Sequence, residues 1–169
     1  MPSTRSAAIL RDAGAADAGA IAAIYNHYVA ATIISMETDP VGTVEMAGRI
    51  AEVQGAGLPW LVLVTDECVC GYSYASKWRA RPGYRHAVEA SVYIDPGLRG
   101  RGHGLTLYRA LLERLQERFH TVIGGIALPN AASIALHERL GFRQVACFHE
   151  AGHKFGAWID VGYWQLKLG

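Results

Sequence analysis

The sequence predicts a single α/β domain in which a mixed sheet is flanked by helices. Three observations lead there. Short apolar runs alternate with stretches of helical spacing, in the order β–α–α–β–β–β–α–β–α–β–β. A Gly-rich junction, Asp95-Pro96-Gly97-Leu98-Arg99-Gly100-Arg101-Gly102-His103-Gly104, joins an apolar strand to a helix. At 169 residues and 51% apolar, the chain can bury a sizeable core and has no need of a second domain. The expected domain is 1–169, with an ordered core over about 8–168. Repeats and low-complexity tracts are absent.

Ala8 to Leu10 reads as an edge strand, broken by Arg11-Asp12-Ala13-Gly14. Asp17 is a candidate N-cap or first-turn acid for a helix in which Ile21, Ile24, Tyr25 and Tyr28 recur at helical spacing to about Ala30. Thr32 to Thr38 is a loop or short helix, closed by Asp39-Pro40. Thr43 is a candidate cap for a second helix through Met46 and Ile50 to about Val53, ended by Gly55-Ala56-Gly57. Trp60 to Thr65 and Cys68 to Ala75 form a hairpin about Asp66-Glu67. A basic, aromatic loop from Trp78 to Arg85 precedes the central strand, Ala87 to Ile94. A helix from Gly104 to about Phe119 presents Leu105, Tyr108, Leu111, Leu112 and Leu115 on one face. Thr121 to Leu128 is a strand, Pro129-Asn130 turns into a helix from Ala131 to Leu140, and Gly141-Phe142 is its exit. Gln144 to Phe148 is a strand, Gly152 to Ala157 a loop, and Trp158 to Leu168 the last strand.

The Arg/Gly junction presents consecutive backbone N–H groups at a helix N-terminus, where the dipole is positive, and so suits a phosphate or pyrophosphate. Glycine lets the ligand approach the backbone and permits positive φ. Arg99 and Arg101 add positive charge. The spacing G-x-G-x-G is not the G-x-G-x-x-G of dinucleotide folds, and no Gly-Lys-Ser/Thr follows as in a Walker loop.

A formal net charge of +1 calls for neither nucleic acid nor an acidic membrane. The seven histidines lack metal-ligand spacing, and three cysteines with a C-x-C pair make neither a disulfide framework nor a zinc pattern, so no metal and reduced thiols are expected. Met1-Pro2-Ser3-Thr4-Arg5 opens no apolar leader, and no apolar run approaches a membrane span. The expected location is therefore the cytoplasm.

Arg99-x-x-Gly102-x-Gly104 after an apolar strand resembles the coenzyme A loop of the GNAT superfamily of N-acetyltransferases. The segment Pro129-Asn130-x-x-Ser133-x-x-Leu136-His137-x-x-Leu140-Gly141-Phe142 is similar to the second cofactor motif of the same superfamily. Ile24-Tyr25-Asn26-x-Tyr28, Glu89-x-Ser91-Val92-Tyr93 and the tail His153-Lys154-Phe155-Gly156-x-Trp158-x-Asp160 resemble its phosphinothricin / methionine sulfone (sulfoximine) branch. The match runs from about Ile9 to Leu168.

The resemblance implies a GNAT fold with splayed central strands and acetyl-CoA in the gap. It implies that the backbone of Val92, Tyr93 and Ile94 meets the pantetheine arm, although Val92 and Ile94 also read as plain core. It further implies that Arg99, Gly100, Arg101, Gly102, His103, Gly104 and Leu105 hold the pyrophosphate, with Asn130 and Ser133 nearby. A homodimer is implied too.

Acetyl transfer to an amine needs a base, an oxyanion donor and a proton for the departing thiolate. Glu89 is the candidate base: it lies in an otherwise apolar strand, where desolvation raises a carboxyl pKa. The alternative is a solvent-facing or Arg-paired strand residue. His137 stands where the branch carries a histidine near the thioester, as a proton donor or as a packed helical histidine. The oxyanion donor implied is a backbone N–H near Tyr93. Arg79, Arg81 and Arg85 suit a carboxylate or phosphinate, with Trp78 and Tyr84 as walls and with Glu89, Ser91 and Tyr93 beside the substrate. The branch often carries an aromatic residue and an Arg in the early loop, where this chain has Met36 and Glu37. His153 and Lys154 either close over the substrate or sit at a dimer contact. The implied activity is acetylation of a small amino-acid-like amine by direct transfer. The alternatives are a protein or peptide N-terminal acetyltransferase, or a non-catalytic acyl-CoA-binding module.

Overall fold

The computed structural model describes residues 8–169; the reading of Met1 to Arg5 lies outside them. Seven strands form one sheet in the order β1-β2-β3-β4-β5-β7-β6. They are β1 (Ile9–Asp12), β2 (Trp60–Thr65), β3 (Cys68–Lys77), β4 (Ala87–Ile94), β5 (Thr121–Ala127), β6 (Arg143–Lys154) and β7 (Ala157–Lys167). The helices are α1 (Ala18–Ala31), α2 (Thr43–Gly55), α3 (His103–Leu115) and α4 (Ala131–Arg139).

Side-chain alternation divides the core between the two sheet faces. On one face Ile21, Ile24, Tyr28, Met46 and Ile50 of α1 and α2 pack on Trp60, Val62 and Tyr72. On the other, Leu107, Tyr108, Leu111 and Leu115 of α3 pack on Leu61, Leu63, Val88, Ala90 and Trp164. The buried face of α3 thus uses Leu107, while Leu105 is only half-buried, and the helix ends before Phe119.

Several local expectations are corrected. Arg11 and Asp12 do not break the first strand, because they stay in register with Val62 and Leu61. Asp17 is the N-cap residue of α1, as expected, but its side chain makes no capping bond to that helix; its carboxylate accepts from Gly14 N–H (2.8 Å) and from both Arg11 guanidinium nitrogens (2.8 Å each). Thr43 is the first residue of α2, and its cap is Gly42. Gly152 to Ala157 is not a loop: β6 continues to Lys154 and turns through Phe155 and Gly156 into β7. Both turn residues have positive φ (52° and 74°), the twist that a two-residue hairpin needs. β6 is also bulged between Phe148 and Gly152.

The feature that positions the site is the β4–β5 pairing. It is parallel and lasts three residues, Ala87–Glu89 against Thr121–Ile123. β4 stays on β3 through Ile94, whereas β5 stays on β7 through Ala127. The sheet therefore forks just beyond Glu89.

Candidate active site

The fork opens into a cleft of about 310 Å³ lined by Tyr28, Val92, Tyr93, Ile94, the 98–104 loop and the start of α4. The N–H of Asp95 bonds to Cys70 of the β3 ladder. By alternation, the main-chain groups of Tyr93 face β3 and those of Val92 and Ile94 face the gap. The N–H of Tyr93 itself therefore faces β3, and the strand N–H groups near it that reach the gap are those of Val92 and Ile94. The Ile94 carbonyl accepts from the Tyr28 hydroxyl.

The N-terminus of α3 points into this cleft. Gly100 and Gly102 have φ of 74° and 83°, so the turn that bares the helix N–H groups needs glycine at both. Gly104 has no such need, since an added Cβ would meet only ordinary contacts at 3.5 Å and beyond. Arg99 lines the cleft, stacked 5.3 Å over the Tyr28 ring, and His103 lines it as the first residue of α3. Arg101 and Leu105 are not among the lining residues. Asn130 caps α4, its Oδ1 accepting from Ser133 N–H at 3.1 Å, and both residues line the cleft. Two helix N-termini, backbone groups of an unpaired strand edge and a free cation fit a pyrophosphate-bearing cosubstrate with an extended amide arm.

Glu89 is the last residue before the fork. It lies on the face shared with α1 and α2, where Ser76 stands opposite it and Tyr74 opposite Ser91. Among the described residues its carboxylate has no hydrogen-bond or ion-pair partner. Burial raises its pKa above the usual glutamate range, and the Arg79 charge pulls it partly back. A Cβ at Gly125 would come within 3.2 Å of its Oε1 and 3.3 Å of the Tyr163 ring.

His137 stands on the opposite face, 5% exposed. Its Nδ1 lies 2.8 Å from the Ser133 carbonyl and so donates; Nε2 then accepts from the Tyr108 hydroxyl at 3.0 Å. The ring is edge-on to Tyr108 and Phe142, each at 5.0 Å. Desolvation holds its pKa below the ordinary histidine value. Both nitrogens are thus engaged within the protein, and burial favours the neutral ring. Of the two sequence readings, the packed histidine matches the geometry. Burial likewise keeps the Tyr108 hydroxyl protonated.

The basic loop divides. Arg79 stacks on Trp78 (4.9 Å), and its charge reaches Glu89 and Tyr163. Arg79, Arg81 and Arg85, with Lys77 and Arg118, all border a second pocket of about 320 Å³ whose floor (Leu58, Val88, Phe119) belongs to the α3 side. Arg79 and Arg81 thus share that pocket, and Arg79 alone of the two is coupled to Glu89.

Sequence reasoning missed two features. Tyr28 read as helix core and as part of a branch motif, with no place in the site, yet it lines the cleft. Glu37 stands where the branch often carries an Arg, and sequence reasoning assigned it no partner, yet Arg49 holds it through two bonds (2.6 and 3.1 Å) and the Tyr25 hydroxyl donates to it at 2.8 Å. The hairpin end braces this loop: Lys154 donates to Ser35 carbonyl at 2.7 Å, and Met36 Sδ packs on Gly152. Elsewhere Cys147, His149 and Asp160 bring ligand-type atoms within 4.8 Å of one another at the β6 bulge. There Asp160 is already engaged by His149 Nδ1 (3.0 Å) and Glu150 N–H (2.8 Å).

Comparison with known proteins agrees with this geometry. Residues 10–162 match the family model described as acetyltransferase (GNAT) domain. The chain is 38% identical to a phosphinothricin N-acetyltransferase from Streptomyces viridochromogenes, over 92% of this chain and 85% of that protein. It is 39% identical to an L-methionine sulfoximine/L-methionine sulfone acetyltransferase from Pseudomonas aeruginosa, over 95% of each. Its fold matches an acetyltransferase from Salmonella typhimurium solved with acetyl-CoA, with a TM-score of 0.94, 37% identity, and 97% and 95% of the two chains covered.

Proposed function

The chain belongs to the GNAT acetyltransferase family, and we propose that it transfers the acetyl group of acetyl-CoA to the α-amine of a small amino-acid-like acceptor of the methionine sulfone, methionine sulfoximine or phosphinothricin type, with Glu89 as the base. The observation that carries this reading is the unpaired, half-buried Glu89 carboxylate at the apex of the β4–β5 fork. Its raised pKa suits removal of a proton from an ammonium acceptor. Glu89 takes one proton from the ammonium; the freed nitrogen then bonds to the acetyl carbon, the carbon–sulfur bond breaks, and the nitrogen's second proton ends on the departing CoA sulfur, giving the amide and CoA-SH.

Val92 and Ile94 meet the amide arm through their backbone, and the 99–104 loop with Asn130 and Ser133 holds the phosphate end. Arg79 binds the acceptor carboxylate beside Ser91 and Tyr93. Tyr108 and His137 position β5 from the far face. The enzyme acts as a homodimer; support comes from Phe148, Phe155 and Trp158, large apolar side chains exposed on the β6–β7 hairpin. It acts in the cytoplasm, in keeping with three free cysteines. Among the described residues no helix is long and apolar enough to cross a membrane.

The test is Glu89→Gln, assayed by CoA release and by acetyl-CoA binding. Turnover should fall at least about a hundredfold with binding unchanged. Equal turnover removes Glu89 from the mechanism, and a wild type that binds acetyl-CoA but acetylates only peptides, or nothing, overturns the acceptor class.

A further inference from the structure

The two groups of relatives are matched equally well, at 38% and 39% identity, so likeness does not choose between a charged phosphinate and a neutral sulfone side chain. A third pocket, of about 230 Å³, bears on that choice. It lies between α2 and the β2–β3 hairpin and is walled by Tyr25, Trp60, Tyr72 and Tyr74, with Met46, Val53, Arg49, Glu52 and Ser76. It borders the reacting centre: Ser76 is the cross-strand partner of Glu89, and Tyr74 of Ser91, on the same sheet face.

Among the described residues Arg49 is the sole cation lining this pocket, and it is already compensated. Glu37 holds it at 2.6 and 3.1 Å, Glu45 holds it at 2.6 Å, and Glu52 adds a further carboxylate to the wall. The loop that carries Glu37 is fixed from outside by Lys154 on Ser35. An anionic group entering here would meet aromatic walls and surplus carboxylate, with no free cation to pair with. The free cation near Glu89 is Arg79, enough for one carboxylate.

Resting on the acceptor class proposed above, we infer that the pocket between α2 and β2–β3 receives the acceptor's side chain and that the Glu37–Arg49 pair makes it select an uncharged, hydrogen-bond-accepting one, a sulfone or sulfoximine over a phosphinate. Ser76 and Tyr74 supply hydroxyl donors for the side-chain oxygens, and Met46, Val53 and the rings cover its methylenes.

The experiment measures kcat/KM for L-methionine sulfone, phosphinothricin and L-ornithine with the wild type and with Glu37→Gln, which leaves Arg49 one carboxylate partner instead of two. Acetyl-CoA binding serves as the folding control. The wild type should prefer the sulfone over both charged acceptors by at least about tenfold, and Glu37→Gln should shift the sulfone-to-phosphinothricin ratio at least about tenfold toward phosphinothricin. Val53→Trp, which fills the pocket, should lower kcat/KM for the sulfone while sparing L-alanine. A ratio unmoved by Glu37→Gln, or a preferred charged acceptor, overturns the inference alone. A wild type that acetylates no amino acid overturns both this inference and the reading beneath it.

Discussion

Gly124→Ala tests whether His137 is a fixed packing group or a mobile acid. A Cβ at residue 124 would lie 2.4 Å from His137 Nε2 and 2.7 Å from Cδ2, about an ångström inside contact. The ring cannot retreat easily. Nδ1 is tied to Ser133 carbonyl at 2.8 Å, and Tyr108 and Phe142 flank it at 5.0 Å. Overpacking of this kind costs about 1–3 kcal/mol. Displacing Nε2 from the Tyr108 hydroxyl adds roughly 0.5–1.5 kcal/mol. The sum, about 1.5–4.5 kcal/mol, corresponds in a domain of this size to a Tm lower by roughly 3–18 °C. The assay is thermal unfolding monitored by circular dichroism, with Gly124→Ala/His137→Ala as the compensating pair. The double variant should be less destabilised than the two single changes added together, since the new methyl then occupies space the imidazole has vacated. A Tm within 1 °C of wild type would refute the reasoning: the imidazole would then swing aside without cost and be free to serve the cleft.

Two further outcomes follow from the same structure. Arg79→Met removes the cation that favours ionised Glu89, so the acid limb of kcat/KM, set by loss of the Glu89 proton, should move to higher pH; a pH profile with the limb unmoved would show that Arg79 does not reach the base. Asp17→Asn removes a carboxylate held below the usual aspartate range chiefly by Arg11. A depressed carboxyl pKa contributes stability above the unfolded value, lost as pH falls through the folded one. The variant should therefore be less stable than wild type by about 1 kcal/mol at pH 7, a modest figure because Arg11 is 46% exposed. The two urea midpoints should converge as pH falls below about 4.

The parts of the fold legible in the sequence are those fixed by local chemistry. Gly100 and Gly102 announce a left-handed turn, and the apolar run around Glu89 announces a desolvated carboxylate. Asn130 announces a cap. What was not legible depends on partners far along the chain. Lys154 meets Ser35 across 119 residues, which turns an expected loop into an anchored hairpin. Arg79 and Arg81 stand two apart in one basic loop, and nothing in that spacing says that only Arg79 couples to Glu89. Glu37 and Arg49 belong to a loop and a helix whose relative placement only the packed sheet sets.

The short β4–β5 pairing and the diglycine of β5 belong together. In a strand, adjacent residues present their side chains to opposite sides, and in β5 Gly124 is buried while Gly125 is exposed. Gly124 and Gly125 present none. On one side the vacated space is filled by the His137 ring; on the other, open side an added Cβ would come within 3.2 Å of the Glu89 carboxylate and 3.3 Å of the Tyr163 ring. A larger residue at 124 would push α4 from the sheet, and one at 125 would displace the proposed base. Glycine weakens a strand, but both positions lie where β5 has already left β4 and pairs only with β7. The strand that sequence patterning reads as plain apolar core is therefore also the floor of the reacting centre, and its two missing side chains let the fork serve packing on one face and chemistry on the other.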